Sequence, residues 1–173
     1  VEEIRAAGGE AIGLPLDVTN RESLEQFLDG AWDLAGRLDC LIQNAGVEAG
    51  AKTFDMIDEE DWDFVLDTNL KSVWLGAKLY AERVKAHGQE GGNIVNVGPI
   101  SALRTTQGQF PYAVSHAGLH TPTEGSAPAA VTLGIPINTL PPGYIPTDVS
   151  LVLPATPSSN DTQTRTPHRP YRA

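Results

Sequence analysis

The sequence predicts an α/β fold, with a mostly parallel sheet covered by helices on both faces. Three observations carry this. Short apolar runs at Leu38 to Ile42, Gly92 to Gly98 and Ile135 to Leu140 have the length of buried strands. Segments with helical spacing alternate with them, which is the pattern of parallel strands joined by crossover helices. Polar or glycine-containing turns follow the strands, at Asp17-Val18, Asn44-Ala45-Gly46, the segment from Gly98, and Pro142-Gly143. In open parallel sheets ligands bind beyond the carboxyl ends of the strands, so these turns are the places to seek a site.

The elements follow in order. Val1 to Leu16 has the character of a short helix followed by a strand. Thr19-Asn20-Arg21-Glu22 predicts a capping box, with Thr19 as the cap and Glu22 three residues on. Leu24, Phe27, Leu28, Ala31 and Leu34 then recur at helical spacing, and Gly36 is the expected stop. Asp58 is the expected cap of a helix beginning Glu59-Glu60-Asp61-Trp62, whose acids suit the positive end of a helix dipole. Leu70, Trp74, Ala77, Ala81 and Val84 predict the apolar stripe of the next helix, and His87-Gly88 its end. Ala113 to Leu119 is helical in pattern. After it, Pro122, Gly125 and Pro128 oppose any continuation. Pro136 removes one ladder donor from the last predicted strand.

Composition narrows the function. The chain has 173 residues, of which 12 are basic and 22 acidic, for a net charge of −10. Residues 1–91 hold 19 of the acids and 8 of the bases. This argues against nucleic acid or an anionic membrane as a partner. No apolar run approaches the roughly 20 residues of a membrane-spanning helix, and the opening residues are unlike a signal peptide. One cysteine, Cys40, excludes an internal disulfide and a cysteine-based zinc site. His116 and His120 are four apart but have no clear third ligand, so no metal is expected. A cytoplasmic protein is the expectation. Of 13 prolines, 11 lie from Pro111 onward. We expect one domain over 1–150 and a disordered Pro/Ser/Thr-rich tail over 151–173.

Five motifs stand in register. They are Asp17-Val18, Asn44-Ala45-Gly46, Asn69, Tyr112-Ala-Val-Ser-x-Ala-Gly-Leu119, and Pro142-Gly143-Tyr144-Ile145-Pro146-Thr147. In order and spacing they resemble the short-chain dehydrogenases/reductases, most closely the classical branch, from about Val1 to Val149. The resemblance implies a Rossmann-type doubly wound parallel sheet and NAD- or NADP-dependent chemistry on a small-molecule carbonyl or alcohol. It implies that Asp17 accepts from the adenine amino group with Val18 beside it. Asn44, Ala45 and Gly46 would line the adenosine ribose, and Thr147 would bond the nicotinamide carboxamide. Tyr112 would be the acid/base and Asn69 would help hold a proton-relay water. A homo-oligomer is also a family expectation.

Three positions depart from that pattern. A phenol ionises near pH 10, too high for an efficient base at neutrality. The family lowers it with a lysine four residues on, where this chain has His116. The family serine thirteen residues before the tyrosine is here Pro99, which has neither hydroxyl nor N–H, and Ser101 is the nearest stand-in. The Gly-rich turn of the form Thr-Gly-x-x-x-Gly-x-Gly, with its βα unit, is not found before Val1, so the sheet is expected to be incomplete. Two functions follow. One is an oxidoreductase using Tyr112 and Asn69, with Ser101 and His116 as substitutes. The other is a non-catalytic descendant, a fragment or a protein-interaction module.

Overall fold

A computed structural model describes residues 1–50, 52–98, 109–119 and 132–142. Helix α1 spans Glu2–Ala6 and α2 spans Arg21–Ala35. Strand β1, Leu41–Gln43, is followed by a 3₁₀ turn at Phe54–Met56 and by α3, Glu59–Leu66. A π-helical turn, Asp67–Lys71, leads without a break into α4, Ser72–Ala86. Strand β2 is Ile94–Val97, residues 110–119 form α5, and β3 is Ile137–Leu140. The strands lie in the order β1-β2-β3, all parallel, with Leu41 opposite Ile94 and Ile94 opposite Ile137. This is the expected α/β layering.

Local chemistry explains the helix ends. Asn20, not Thr19, caps α2: its side chain accepts the Ser23 N–H at 3.0 Å. Thr19 is drawn back to Asp17, whose Oδ1 accepts its N–H at 2.9 Å and its hydroxyl at 2.7 Å. An Asx-type turn has therefore outcompeted the expected threonine cap. Gly36 ends α2 at φ +74°, a left-handed conformation that suits glycine. Asp58 caps α3 as expected, in a reciprocal capping box with Asp61. Ala86 ends α4, with His87 at its cap.

The core lies between the sheet and the α2–α4 pair. Trp32, Tyr80, Val84, Ile94 and Ile135 form one cluster; Leu24, Leu28, Leu75 and Leu79 form its neighbour. Leu38 and Leu41 touch both. Arg83 ties the helices at the rim, donating to Asp29 at 2.7 and 3.0 Å. The buried Tyr80 donates its hydroxyl to the Leu38 carbonyl at 2.7 Å, and a Cβ at Gly92 would stand 2.4 Å from that hydroxyl.

Three expectations are corrected. The apolar stripe of α4 is wider than expected and leaves one member out: Val84 is buried with Ala77 and Ala81 packed beside it, Val73, Leu75, Leu79 and Tyr80 join the buried face, and Trp74 is 56% exposed. The π turn adds a residue to the preceding helical turn and so shifts the face that α4 presents. Residues 11–16 form no strand, since nothing among the described residues pairs with them. Pro136 costs β3 nothing. It precedes the strand, and its carbonyl accepts the Ile94 N–H at 2.9 Å. The expected tail from 151 on lies outside the described residues, as does the stretch 120–131 with its helix-breaking prolines.

Candidate active site

The site is assembled where β1, the π turn and α5 meet. Gln43, the last residue of β1, donates through Nε2 to the Val73 carbonyl and to Asn96 Oδ1, each at 3.0 Å. It thereby locks β1 to α4 and β2 at the carboxyl end of the sheet. The chain then turns through Asn44, Ala45 and Gly46 to Val47.

Asn69 holds that turn. It sits in the π segment and is 1% exposed. Its Oδ1 accepts the Val47 N–H at 2.8 Å, and its Nδ2 donates to the Val47 carbonyl at 2.9 Å. Nδ2 also donates to Ser115 Oγ at 3.2 Å, and the Ser115 hydroxyl donates to the Tyr112 carbonyl at 2.8 Å. Both amide hydrogens of Asn69 are thus committed, and one acceptor lone pair remains on Oδ1. At the junction with α4 the Ser72 hydroxyl donates back to the Thr68 carbonyl of the π turn. A π turn breaks the regular i→i−4 ladder, and such turns recur at functional sites.

Tyr112 and His116 lie one turn apart on α5 and make an edge-on ring contact, centroids 4.3 Å apart. His116 is buried. It fits there because Gly98 faces it: a Cβ at Gly98 would lie 3.4 Å from His116 Nδ1 and 3.2 Å from Leu119. Burial pushes the Tyr112 phenol above its ordinary pKa, and the Glu48 carboxylate adds to the rise. Glu48 is itself raised by burial, a rise opposed by its hydrogen bond with Gln109. The electrostatics therefore favour the neutral phenol.

The expected adenosine residues divide between two hollows. Asp17 opens on a polar hollow of about 240 Å³ with Asn20 and Gln26. The hydrogen bonds from Thr19 hold its carboxyl below the usual range. Val18, Asn44 and Ala45 sit at the edge of a second cavity of about 360 Å³, whose walls are mainly apolar. Gly46 lies beside Asn69, with 3.6 Å from an added Cβ to Oδ1. Asp17 and the group Val18, Asn44 and Ala45 thus line different hollows. Pro99, Ser101 and Thr147 lie outside the described residues.

Sequence reasoning missed Ser115 as the link between Asn69 and α5, although it stands three residues after Tyr112, one helical turn along. It also missed Gln43 and Glu48, whose partners are distant in sequence.

Comparison with known proteins agrees with this geometry. The family described as short chain dehydrogenase matches residues 1–157, so the chain belongs to the short-chain dehydrogenase family. A 3-oxoacyl-[acyl-carrier-protein] reductase from Synechocystis is 32% identical over 157 residues, covering 91% of this chain and 62% of the relative. An acetoacetyl-CoA reductase from Cupriavidus necator is 33% identical over 149 residues, or 86% and 59% of the two chains. The crystal structure of a short chain dehydrogenase from Mycobacterium smegmatis superposes with a TM-score of 0.78 at 31% identity, covering 84% of this chain and 60% of that one. The chain thus spans about three fifths of the length of these relatives. Family membership and this structural neighbour agree with the α/β Rossmann-type fold seen here. Among the described residues no helix is long and apolar enough to cross a membrane.

Proposed function

We propose that this chain carries the proton-donating half of a nicotinamide-dependent carbonyl reductase acting on a 3-oxoacyl thioester. The observation that carries the reading is the hydrogen-bonded chain Val47–Asn69–Ser115–Tyr112, with Asn69 and Ser115 buried at its centre, which fixes the phenol-bearing helix against the turn after β1. The substrate class is taken from the relatives, whose names specify 3-oxoacyl and acetoacetyl groups.

When bound, a reduced nicotinamide supplies the hydride that the carbonyl carbon receives. Asp17, Val18, Asn44, Ala45 and Gly46 would hold its adenosine end, and Thr147 would hold the carboxamide. NAD and NADP are both compatible with these residues. Tyr112, kept neutral by burial and by Glu48, gives its hydroxyl proton to the carbonyl oxygen as the C–O π bond opens, and the alcohol forms. The spare lone pair on Asn69 Oδ1 can hold one hydrogen of a relay water. Ser101 orients the substrate oxygen in place of the hydroxyl that Pro99 lacks. His116 acts through its ring contact, holding the Tyr112 ring in place. Residence in the cytoplasm and a homo-oligomer complete this reading.

A second reading, a non-catalytic interaction module, is favoured by the raised phenol and by the exposed aromatics Phe64 and Trp74 on α3 and α4. Initial rates of NADH and NADPH oxidation with acetoacetyl-CoA separate the two. The first reading predicts turnover that Tyr112→Phe reduces at least a hundredfold, the usual scale for a positioned acid. No turnover by a folded chain that binds nucleotide supports the second.

A further inference from the structure

Each reduction at this site takes a proton from Tyr112, and the lysine of the family pattern is here His116. His116 is buried and meets the Tyr112 ring edge-on. A second titratable group bears on the phenol from the other side of the cleft. Glu48 directly follows Val47, whose N–H and carbonyl are both held by Asn69, at 2.8 and 2.9 Å. Glu48 is therefore carried on a braced turn. Its carboxyl reaches the start of α5, where the Gln109 side-chain amide donates to it. Gln109 is buried, and its carbonyl accepts the Ala113 N–H at 2.8 Å, closing the first turn of that helix. Tyr112 stands in the same turn.

The carboxyl is only partly satisfied. Glu48 Oε1 is buried and has no hydrogen-bond partner among the described residues. A buried carboxylate oxygen without a donor is costly, and a proton placed on it removes the charge. Burial accordingly raises the Glu48 pKa. A half-buried carboxyl that holds its proton beyond the ordinary range, facing a phenol, is a proton reservoir. We propose that Glu48 is the proton-relay residue of this site, its carboxyl returning a proton to Tyr112 after each reduction across one bridging water. This rests on the carbonyl-reductase reading above. The substrate carbonyl carbon takes the hydride and its oxygen takes the Tyr112 proton, which leaves the alcohol, an oxidised nicotinamide and a phenolate. The phenolate oxygen takes a proton from the water as the water takes one from the Glu48 O–H. The carboxylate then regains its proton from solvent. The transfer runs downhill, because a carboxyl is a far stronger acid than a phenol. Glu48 acts on Tyr112 through space rather than by a direct hydrogen bond, so a single water spans the gap. From the turn after β1, Glu48 is the charged group that acts on Tyr112; on α5 the titratable neighbour is His116. Burial and Gln109 are what act on Glu48 itself.

The test has one arm without turnover and one with it. In the first, the chain carrying ¹³C at tyrosine Cζ is titrated by NMR, with Tyr112→Phe assigning the signal. We expect the Tyr112 signal to move in two steps, a small one as Glu48 ionises and a large one as the phenol does. Glu48→Gln is expected to erase the small step, and His116→Gln to leave it. In the second, NADH and NADPH oxidation with acetoacetyl-CoA is followed against pH. We expect kcat to fall as pH rises through the small step, because the reservoir empties. Glu48→Gln should abolish that limb and lower kcat about a hundredfold, the low end of the scale for a positioned proton donor, with KM unchanged. Formate should restore turnover saturably to Glu48→Ala, a readout independent of how well the glutamine variant folds. The proposal is overturned if no small step appears, if His116→Gln erases it, if Glu48→Gln keeps the rate and the pH profile, or if formate fails to rescue Glu48→Ala. These results leave the carbonyl-reductase reading standing. Absence of turnover by the unaltered, nucleotide-binding chain overturns that reading and the relay together.

Discussion

Replacing Asn69 with alanine tests how far the site depends on one buried side chain. The substitution removes three hydrogen bonds, to the Val47 N–H, the Val47 carbonyl and Ser115 Oγ. At about 1 kcal/mol net each, the loss is about 3 kcal/mol. The part-buried Val47 N–H is left without its acceptor, which adds to the cost, while water entering the space offsets part of it. With a urea m-value of about 2 kcal/mol/M, the unfolding midpoint should fall by about 1.5 M. Urea denaturation followed by tryptophan fluorescence reads this, since Trp62 and Trp74 flank the π turn in sequence. A Ser115→Ala cycle refines it. The two residues share a hydrogen bond, so the double variant should lose about 1 kcal/mol less than the sum of the single losses. A midpoint shift below about 0.3 M, or strict additivity, would refute the view that Asn69 and Ser115 brace the phenol helix as one unit.

Other perturbations have equally definite outcomes. Gly92→Ala pushes a methyl group against the buried Tyr80 hydroxyl, 2.4 Å from the new Cβ; overpacking of this kind costs about 1–3 kcal/mol, and Tyr80→Phe should relieve part of it in the same denaturation assay. His116→Lys places an ammonium beside the Tyr112 ring and should lower the phenol's pKa, read from the Tyr112 ring carbon in NMR; an unchanged or higher value contradicts the electrostatic account. Asp29 is held below the usual carboxylate range by its hydrogen bond to Arg83. Its contribution is therefore present above the unfolded-state pKa and is lost as pH falls through the lower folded value. Asp29→Asn should flatten that acid limb by about 0.5 kcal/mol, a small figure because the carboxylate is 59% exposed. Glu48 is raised by burial, so the folded state loses stability as pH climbs from the ordinary carboxylate range through the folded value. Glu48→Gln should be the more stable protein at neutral pH, and the difference should vanish in acid.

Local signals were legible and long-range ones were not. Asp58 and Gly36 act within one helical turn, and the structure places both at the ends the sequence predicts. Thr19 misled because two local partners compete for it, and Asp17 wins by two hydrogen bonds. On α4 the spacing finds Ala77, Ala81 and Val84, but a π turn leaves no mark in hydrophobic spacing, so at the helix start it points to Trp74 in place of Val73. Asn69 and Tyr112 were legible through the family pattern. Ser115, which joins them, lay unremarked inside the same motif because its partner is 46 residues away. Gln43 and Tyr80 hold a helix, a strand and a loop 30 to 53 residues distant, and nothing in their own neighbourhood announces it.

The central claim is that these residues form a nicotinamide-binding carbonyl site. Titration of the folded chain with NADH and with NADPH, by nicotinamide fluorescence and calorimetry, tests it most directly. The account predicts saturable micromolar binding of at least one of the two, weakened when Asp17 is replaced by alanine. Absence of saturable binding to a chain shown to be folded would contradict it.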